Sequence, residues 1–146
     1  MPDRGVRRSQ AGQAVVELAL VAPLLLFLAF GVVAVGRVAR ATMAVSAVAD
    51  EAARTAALAP TAGTAVAGGI ERGQQVAKGY GLAASALQLT VDARAFGRGG
   101  QIRATARYIV DVQDLPLLGW ATIAVTRTRL APIDMYASAW PVGSTP

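Results

Sequence analysis

Between Leu18 and Gly36 the chain carries 19 residues without a charge, and no other feature constrains its folding as strongly. A helix needs about 20 predominantly apolar residues to cross the hydrocarbon core of a bilayer. The run therefore predicts a membrane-spanning helix at about 18–36, or the core of a signal peptide. Signal-peptide cores are shorter, about 7–15 residues. A small-residue cleavage pattern nevertheless exists at Ala39-Arg40-Ala41, so a cleaved signal ahead of a small secreted or membrane-anchored binding domain is the alternative reading. Pro23 falls inside the run, where it lacks an N–H and leaves the Ala19 carbonyl without its helical partner; a kink is expected there.

The flanks say less about orientation. Arg4, Arg7 and Arg8 precede the run, and Arg37, Arg40 and Arg54 follow it, so the positive-inside count is nearly a tie. A short basic tail in the cytoplasm is the preferred arrangement.

Glu17 stands at the edge of the apolar run, five residues after Gly12. A carboxylate at the centre of a membrane helix costs about 2.5–3.5 kcal/mol, less near its end, so a glutamate that snorkels to the interface or caps the helix is one reading. The spacing offers another. A cut after Gly12 makes Gln13 the first residue and Glu17 the fifth. The new ammonium then starts an apolar helix and requires a counter-charge once buried among other subunits.

The segment "GQAVVELALVAPLLLFLAFGVVAVGRVARATMAVSAVADEAARTAAL" resembles the N-terminal region of the TadE-like family, pseudopilins of the tight-adherence (Flp, type IVb) pilus system. Gly12, Glu17 and Pro23 match the family's glycine, glutamate and proline, and "ADEAARTAA" resembles its alanine- and arginine-rich continuation. Leu18 stands where Flp-type motifs usually carry an aromatic. The resemblance implies a structural and assembly protein rather than an enzyme, processed between Gly12 and Gln13 by a prepilin peptidase. It further implies assembly through Glu17 with other pilins and the pilus assembly machinery. The expected location is the bacterial inner membrane, crossed once, with the C-terminal domain extracytoplasmic, and incorporation into a surface pilus is compatible with this.

Beyond the apolar run, Val38, Ala41, Val45, Val48 and Ala52 recur at three- and four-residue spacing, while Arg37, Arg40, Glu51 and Arg54 take another face. One helix over about 13–58 is expected, preceded by a basic leader at 1–12. "APTAGTAVAGG", Ala59 to Gly69, reads as a break. "IERGQQVAKGYGLAASAL" reads as a second helix with Val66, Ile70, Val76 or Ala77, and Tyr80 on one side, weakened by Gly73, Gly79 and Gly81.

Two segments then alternate with period two. Leu87, Leu89, Val91, Ala93 and Ala95 share one face, and so do Ile102, Ala104, Ala106, Tyr108, Val110 and Val112. "GRGG" joins them as a hairpin, and a third strand is expected from about Ala121 to Leu130, after "DLPLLGW". The predicted fold is α+β: a long membrane helix continuing into a small pilin-like domain at 59–136, with a second helix and an antiparallel sheet of about three strands. The tail at 137–146, with two prolines, is expected to be frayed.

No cofactor, metal or nucleic acid is expected. The chain contains neither cysteine nor histidine, which removes disulfides, thiolate metal sites and the usual general base. Its net charge of +5 comes from arginines scattered between Arg4 and Arg129, without the cluster that a nucleic-acid interface requires. Gly68 and Gly73 have P-loop spacing, but Gln74 occupies the lysine position, and "GYGLAA" does not follow a predicted strand. Asp111 and Asp114 read as a strand-end and a turn aspartate, Lys78 lacks a serine at fixed spacing, and Arg103 and Arg107 read as solvated sheet residues.

Overall fold

The computed structural model describes residues 4–115 and 119–134, with side chains from Gly12 onward. Helix α1 runs from Arg4 to Ala57, helix α2 from Ala62 to Gly79, and strands β1, β2 and β3 span Leu87–Ala95, Gln101–Val110 and Ile123–Pro132. The tail from residue 135 lies outside the described residues.

At 54 residues α1 is about 80 Å long. It begins upstream of the expected start, so part of the basic leader is helical. Pro60 stops it, and Thr61 starts α2 with a reciprocal cap: the Thr64 N–H donates to Thr61 Oγ1 at 3.2 Å, and the Thr61 N–H donates to Thr64 Oγ1 at 3.2 Å. The sequence reading placed a break through Gly69, yet α2 already starts at Ala62. The connection between the helices is therefore short and the two form an antiparallel hairpin.

The buried stripe of α2 is Ala65, Gly69, Gly73 and Ala77, at four-residue spacing. This refines the expected face: Ala77, one of its expected members, is buried, but the centre of the stripe is made of small residues. Val66, Ile70 and Val76 flank the stripe half-buried, and Tyr80 is exposed. Gly69, read as the end of the break, and Gly73, read as a weakness of the helix, are packing positions. A Cβ on Gly69 would lie 2.9 Å from the Ala52 carbonyl oxygen and 3.1 Å from the Ala56 Cβ, and one on Gly73 would run into Leu89. The facing stripe of α1, with Val48, Ala52 and Ala56 wholly buried, is nearly as small. The two backbones approach closely because neither presents bulk.

The helix hairpin covers one face of an antiparallel sheet ordered β1-β2-β3. Ile102, Ala104 and Ala106 are fully buried on its inner face, beside Val91 and Val125 from the flanking strands. The outer face carries Arg103 and Arg107, exposed as expected, and a threonine pair in which Thr105 Oγ1 and Thr128 Oγ1 lie 3.1 Å apart. Gly99 turns the β1–β2 hairpin with φ at +72°, a conformation that side chains disfavour. A register shift between Asp92 and Ala95 explains one departure from the alternation: Ala95 is exposed, not inward-facing. β3 starts at Ile123 and ends at Pro132, slightly later than expected, and most of it is exposed.

The domain packs only on the second half of α1. Its lowest contacts reach Phe30 and Ala34, and most large residues below them are exposed.

Candidate assembly and membrane interface

The exposed first half of α1 has the length and composition to cross a membrane; its apolar part has a mean hydropathy of 2.8 and is almost entirely unburied. Val15, Val16, Leu18, Leu20, Leu24, Leu25 and Leu28 are all exposed on different sides of the helix. A helix apolar all round is suited to lipid or to a bundle of like helices, not to water. Glu17 sits among these residues, itself exposed, and among the described side chains it forms no ion pair. Gln13 precedes it by one helical turn on the same side. Gly12 is also exposed, and a Cβ built there meets nothing within 4 Å. Pro23 lies within α1, which is helical on both sides of it.

Where the apolar run ends, α1 is fastened to the sheet. The Arg37 guanidinium donates two hydrogen bonds to Asp114, from Nη1 to Oδ1 at 2.5 Å and from Nη2 to Oδ2 at 2.7 Å, and a third from Nη1 to the Asp111 carbonyl at 3.1 Å. The fork geometry suits a bidentate carboxylate contact. Sequence reasoning missed this pair. Asp114 is 77 residues from Arg37 and was taken as an ordinary turn residue. Nothing local in the sequence marks the partner, because the contact follows from where the β2–β3 connection crosses α1. Higher up, Asp50 pairs with Arg129 of β3 at 2.6 Å and Glu51 with Arg72 of α2 at 3.2 Å, so α1 is tied to each layer it touches.

The Arg37 guanidinium, chiefly through its hydrogen bonds, holds the Asp114 carboxyl below its ordinary 3.8, against the opposing effect of desolvation. A depressed carboxyl stabilises the fold above its unfolded-state pKa, and the contribution is lost as pH falls through the folded-state value. The thermal midpoint of wild type should therefore exceed that of Asp114→Asn by a constant margin from neutrality down to about pH 4. The margin should vanish in stronger acid. A margin that disappears between pH 5 and 7 would assign the effect to another group.

Among the described residues no cluster of acids suited to a metal ion occurs. Among the described residues a depression of about 940 Å³ lies between the end of α2 and β1, and Lys78 is the sole ionisable group lining it. That lining offers no acid–base pair or activated nucleophile.

No curated protein and no solved structure matches the chain. A family model does. It is described as that of a TadE-like protein and matches residues 12–54, a stretch that includes the glycine before the apolar run, Glu17, Pro23, the Arg37 fastening point and the alanine-rich turns packed beneath the sheet, so the N-terminal region of this chain is similar to that family.

Proposed function

We propose that the chain is a minor pilin or pseudopilin, a structural and assembly component of a tight-adherence pilus, cut after Gly12 by a prepilin peptidase. The TadE-like match over residues 12–54 associates it with pilin-like proteins of that system. The observation that carries the reading furthest is the division of α1: an exposed apolar half bearing one unpaired acid, and a half buried under a small domain. In this reading the domain lies outside the cytoplasm, other pilins and the assembly machinery are the binding partners, and Pro23 gives the helix a bend point.

The structure weighs against cleavage by signal peptidase after Ala41. That cut would remove Phe30, Ala34, Val38 and Ala41 from the core together with the Arg37–Asp114 pair. Cutting after Gly12 leaves every described core residue in place. Gly12 lies within helical backbone, which a peptidase must unwind to reach the peptide bond. Glycine is about 1 kcal/mol less favourable than alanine in a helix, so unwinding costs less there than at a neighbouring alanine.

One spheroplast preparation tests both ends of the proposal. Native protein should sequence from Gln13, and external protease should digest the domain while sparing a cytoplasmic control. Gly12→Leu should leave the chain uncut but folded, because the position has open space around it. A start at Met1, Pro2 or near Thr42, or a protected domain, refutes the reading.

A further inference from the structure

The two edges of the sheet differ. β3 forms one of them and carries Arg127, Arg129 and Pro132. Charge and proline on an edge strand discourage other chains from pairing with it. β1 forms the other edge and pairs with β2 alone. From Leu87 to Val91 it bears neither charge nor proline. Near the hairpin the β1 backbone is served by its own chain: the Arg94 N–H donates to Asp92 Oδ1 at 3.0 Å, and the Phe96 N–H to the Ala93 carbonyl at 3.0 Å. Between Leu87 and Val91 the outward backbone groups have no such partner among the described residues.

A groove follows that edge. The depression of about 940 Å³ is lined by Leu87, Gln88, Leu89 and Thr90 in unbroken succession, and a second, of about 490 Å³, by every residue from Thr90 to Arg94. Successive residues of a strand point to opposite faces, so a depression that touches all of them lies along the edge. α2 forms the far wall, with Ala77 and Lys78 at one end and Gly63 and Val66 at the other. Half-buried Leu82, Leu87 and Leu89 make the larger depression apolar within, and Lys78 stands exposed at its rim without an ion pair. The surrounding domain is cationic too. Arg40, Arg54, Arg103, Arg107 and Arg127 also lack ion pairs among the described residues, against Glu71 and Asp111 among its acids. Such a field attracts an acidic partner and repels a basic one.

A second copy of the chain fits this edge poorly. Ile102 and Ala104 cluster with Ala52 and Ala56, whereas Ala106 and Val110 cluster with Ala41 and Val45. β2 therefore runs against α1, and β1 runs with it. Antiparallel pairing of two β1 edges would point the two α1 helices in opposite directions, which chains anchored in one membrane cannot adopt. The β3 edge of another copy would bring arginines to the Lys78 side.

We propose that the free edge of β1, from Leu87 to Val91, is a docking site for an extended segment of a different polypeptide. The segment adds a strand to the sheet, buries alternate apolar side chains against Leu82 and Leu89, and sets a carboxylate beside Lys78. Main-chain hydrogen bonds supply the affinity in this mode of recognition, and the alternate side chains supply the specificity. The inference goes beyond the pilin reading and does not rest on it.

The probe is a fluorescein-labelled peptide, "SVTVEVTS", titrated against the full chain in detergent micelles and followed by anisotropy. Binding should be saturable, and N-methylation of the peptide backbone should abolish it. Glutamine in place of the peptide's glutamate should weaken binding roughly threefold, the scale of an exposed ion pair. Lys78→Glu, an exposed substitution, should reverse the preference and favour a peptide with lysine at that position. Hydrogen exchange in the complex should slow over Leu87–Val91 and stay unchanged over β3. Absence of saturable binding overturns the proposal, as does binding that survives N-methylation or protection that falls on β3. An unchanged preference in Lys78→Glu removes the assigned carboxylate contact and overturns it as stated. If Leu87–Val91 is already protected without peptide, in an oligomer that dissociates on dilution, the edge is a contact between copies and the proposal fails.

Discussion

Gly69→Val is expected to destabilise the domain by about 2–3 kcal/mol, the cost of forcing extra bulk into a packed core. The position is unforgiving because a Cβ there meets the Ala52 carbonyl oxygen at 2.9 Å, backbone within α1 that cannot rotate away. Its other neighbours, Ala56 Cβ at 3.1 Å and Val91 Cγ2 at 3.2 Å, belong to α1 and β1, so relief in one direction tightens another. The helices must separate, and the contacts of Ala65 and Ala77 loosen with them. Gly63→Ala is the matched control. It lies in the same helix with nothing within 4 Å of a built Cβ, and should be neutral or stabilising by up to about 1 kcal/mol. Urea unfolding in detergent, followed by circular dichroism, separates the two. Equal midpoints for Gly69→Val and Gly63→Ala would mean that the close helix approach contributes little.

That glycine stripe also shows where the sequence was hard to read. Periodicity weights large apolar residues, so it selected Val66, Ile70, Val76 or Ala77, and Tyr80, and of these only Ala77 lies in the buried stripe. Helices that pack at close range bury their smallest residues and leave larger ones at the flanks, where they cover the sides of the contact. The four-residue repeat Ala65, Gly69, Gly73, Ala77 was visible in the sequence. It was masked because glycine carries a helix penalty, which tertiary packing offsets here. The start of α2 was legible too: Pro60 before Thr61, with Thr64 three residues on, is a capping box with threonine in place of the usual glutamate.

The strands were easier. β2 alternates strictly because one face meets α1 and the other meets water, and nothing interrupts the period. In β1 the pattern holds from Leu87 to Ala93 and fails at Ala95, where the register shifts beside the hairpin. The apolar segment of α1 was legible for a simpler reason: an uncharged run of membrane length has few alternatives. The Arg37–Asp114 pair was not, because it joins residues that only the completed fold brings together. The same holds for the height of the β2–β3 connection, since its sequence states that a turn occurs but not which level of α1 it crosses.

Glu17→Gln should abolish stable association with other pilins while leaving insertion, cleavage and folding intact. Insertion should persist because the substitution makes the apolar segment less polar, and the proposed cleavage should persist if it depends mainly on Gly12. Folding should persist because Glu17 is exposed and far below the residues that pack on the domain. Association is different. In a chain cut at the proposed site, the ammonium of Gln13 and the carboxylate of Glu17 would lie one turn apart on α1. Confined to one chain they form a local cap worth about 0.3–1 kcal/mol, and its loss would barely be noticed. Shared between staggered helices they neutralise each other where lipid and apolar side chains exclude water, and removing one partner there costs about 3–5 kcal/mol. That corresponds to roughly 10²–10⁴-fold weaker association per contact. The exposure of every large apolar residue from Val15 to Leu20 favours the second case, since a surface of that kind is available to a neighbouring helix along its whole length. Co-purification from detergent extracts, with Glu17→Asp as a charge-retaining variant, distinguishes them. Glu17→Gln should lose its partners and Glu17→Asp should recover part of them. If Glu17→Gln retains its partners at the wild-type level, the acid is a helix cap or a snorkelling residue, and subunit pairing must be sought elsewhere on α1.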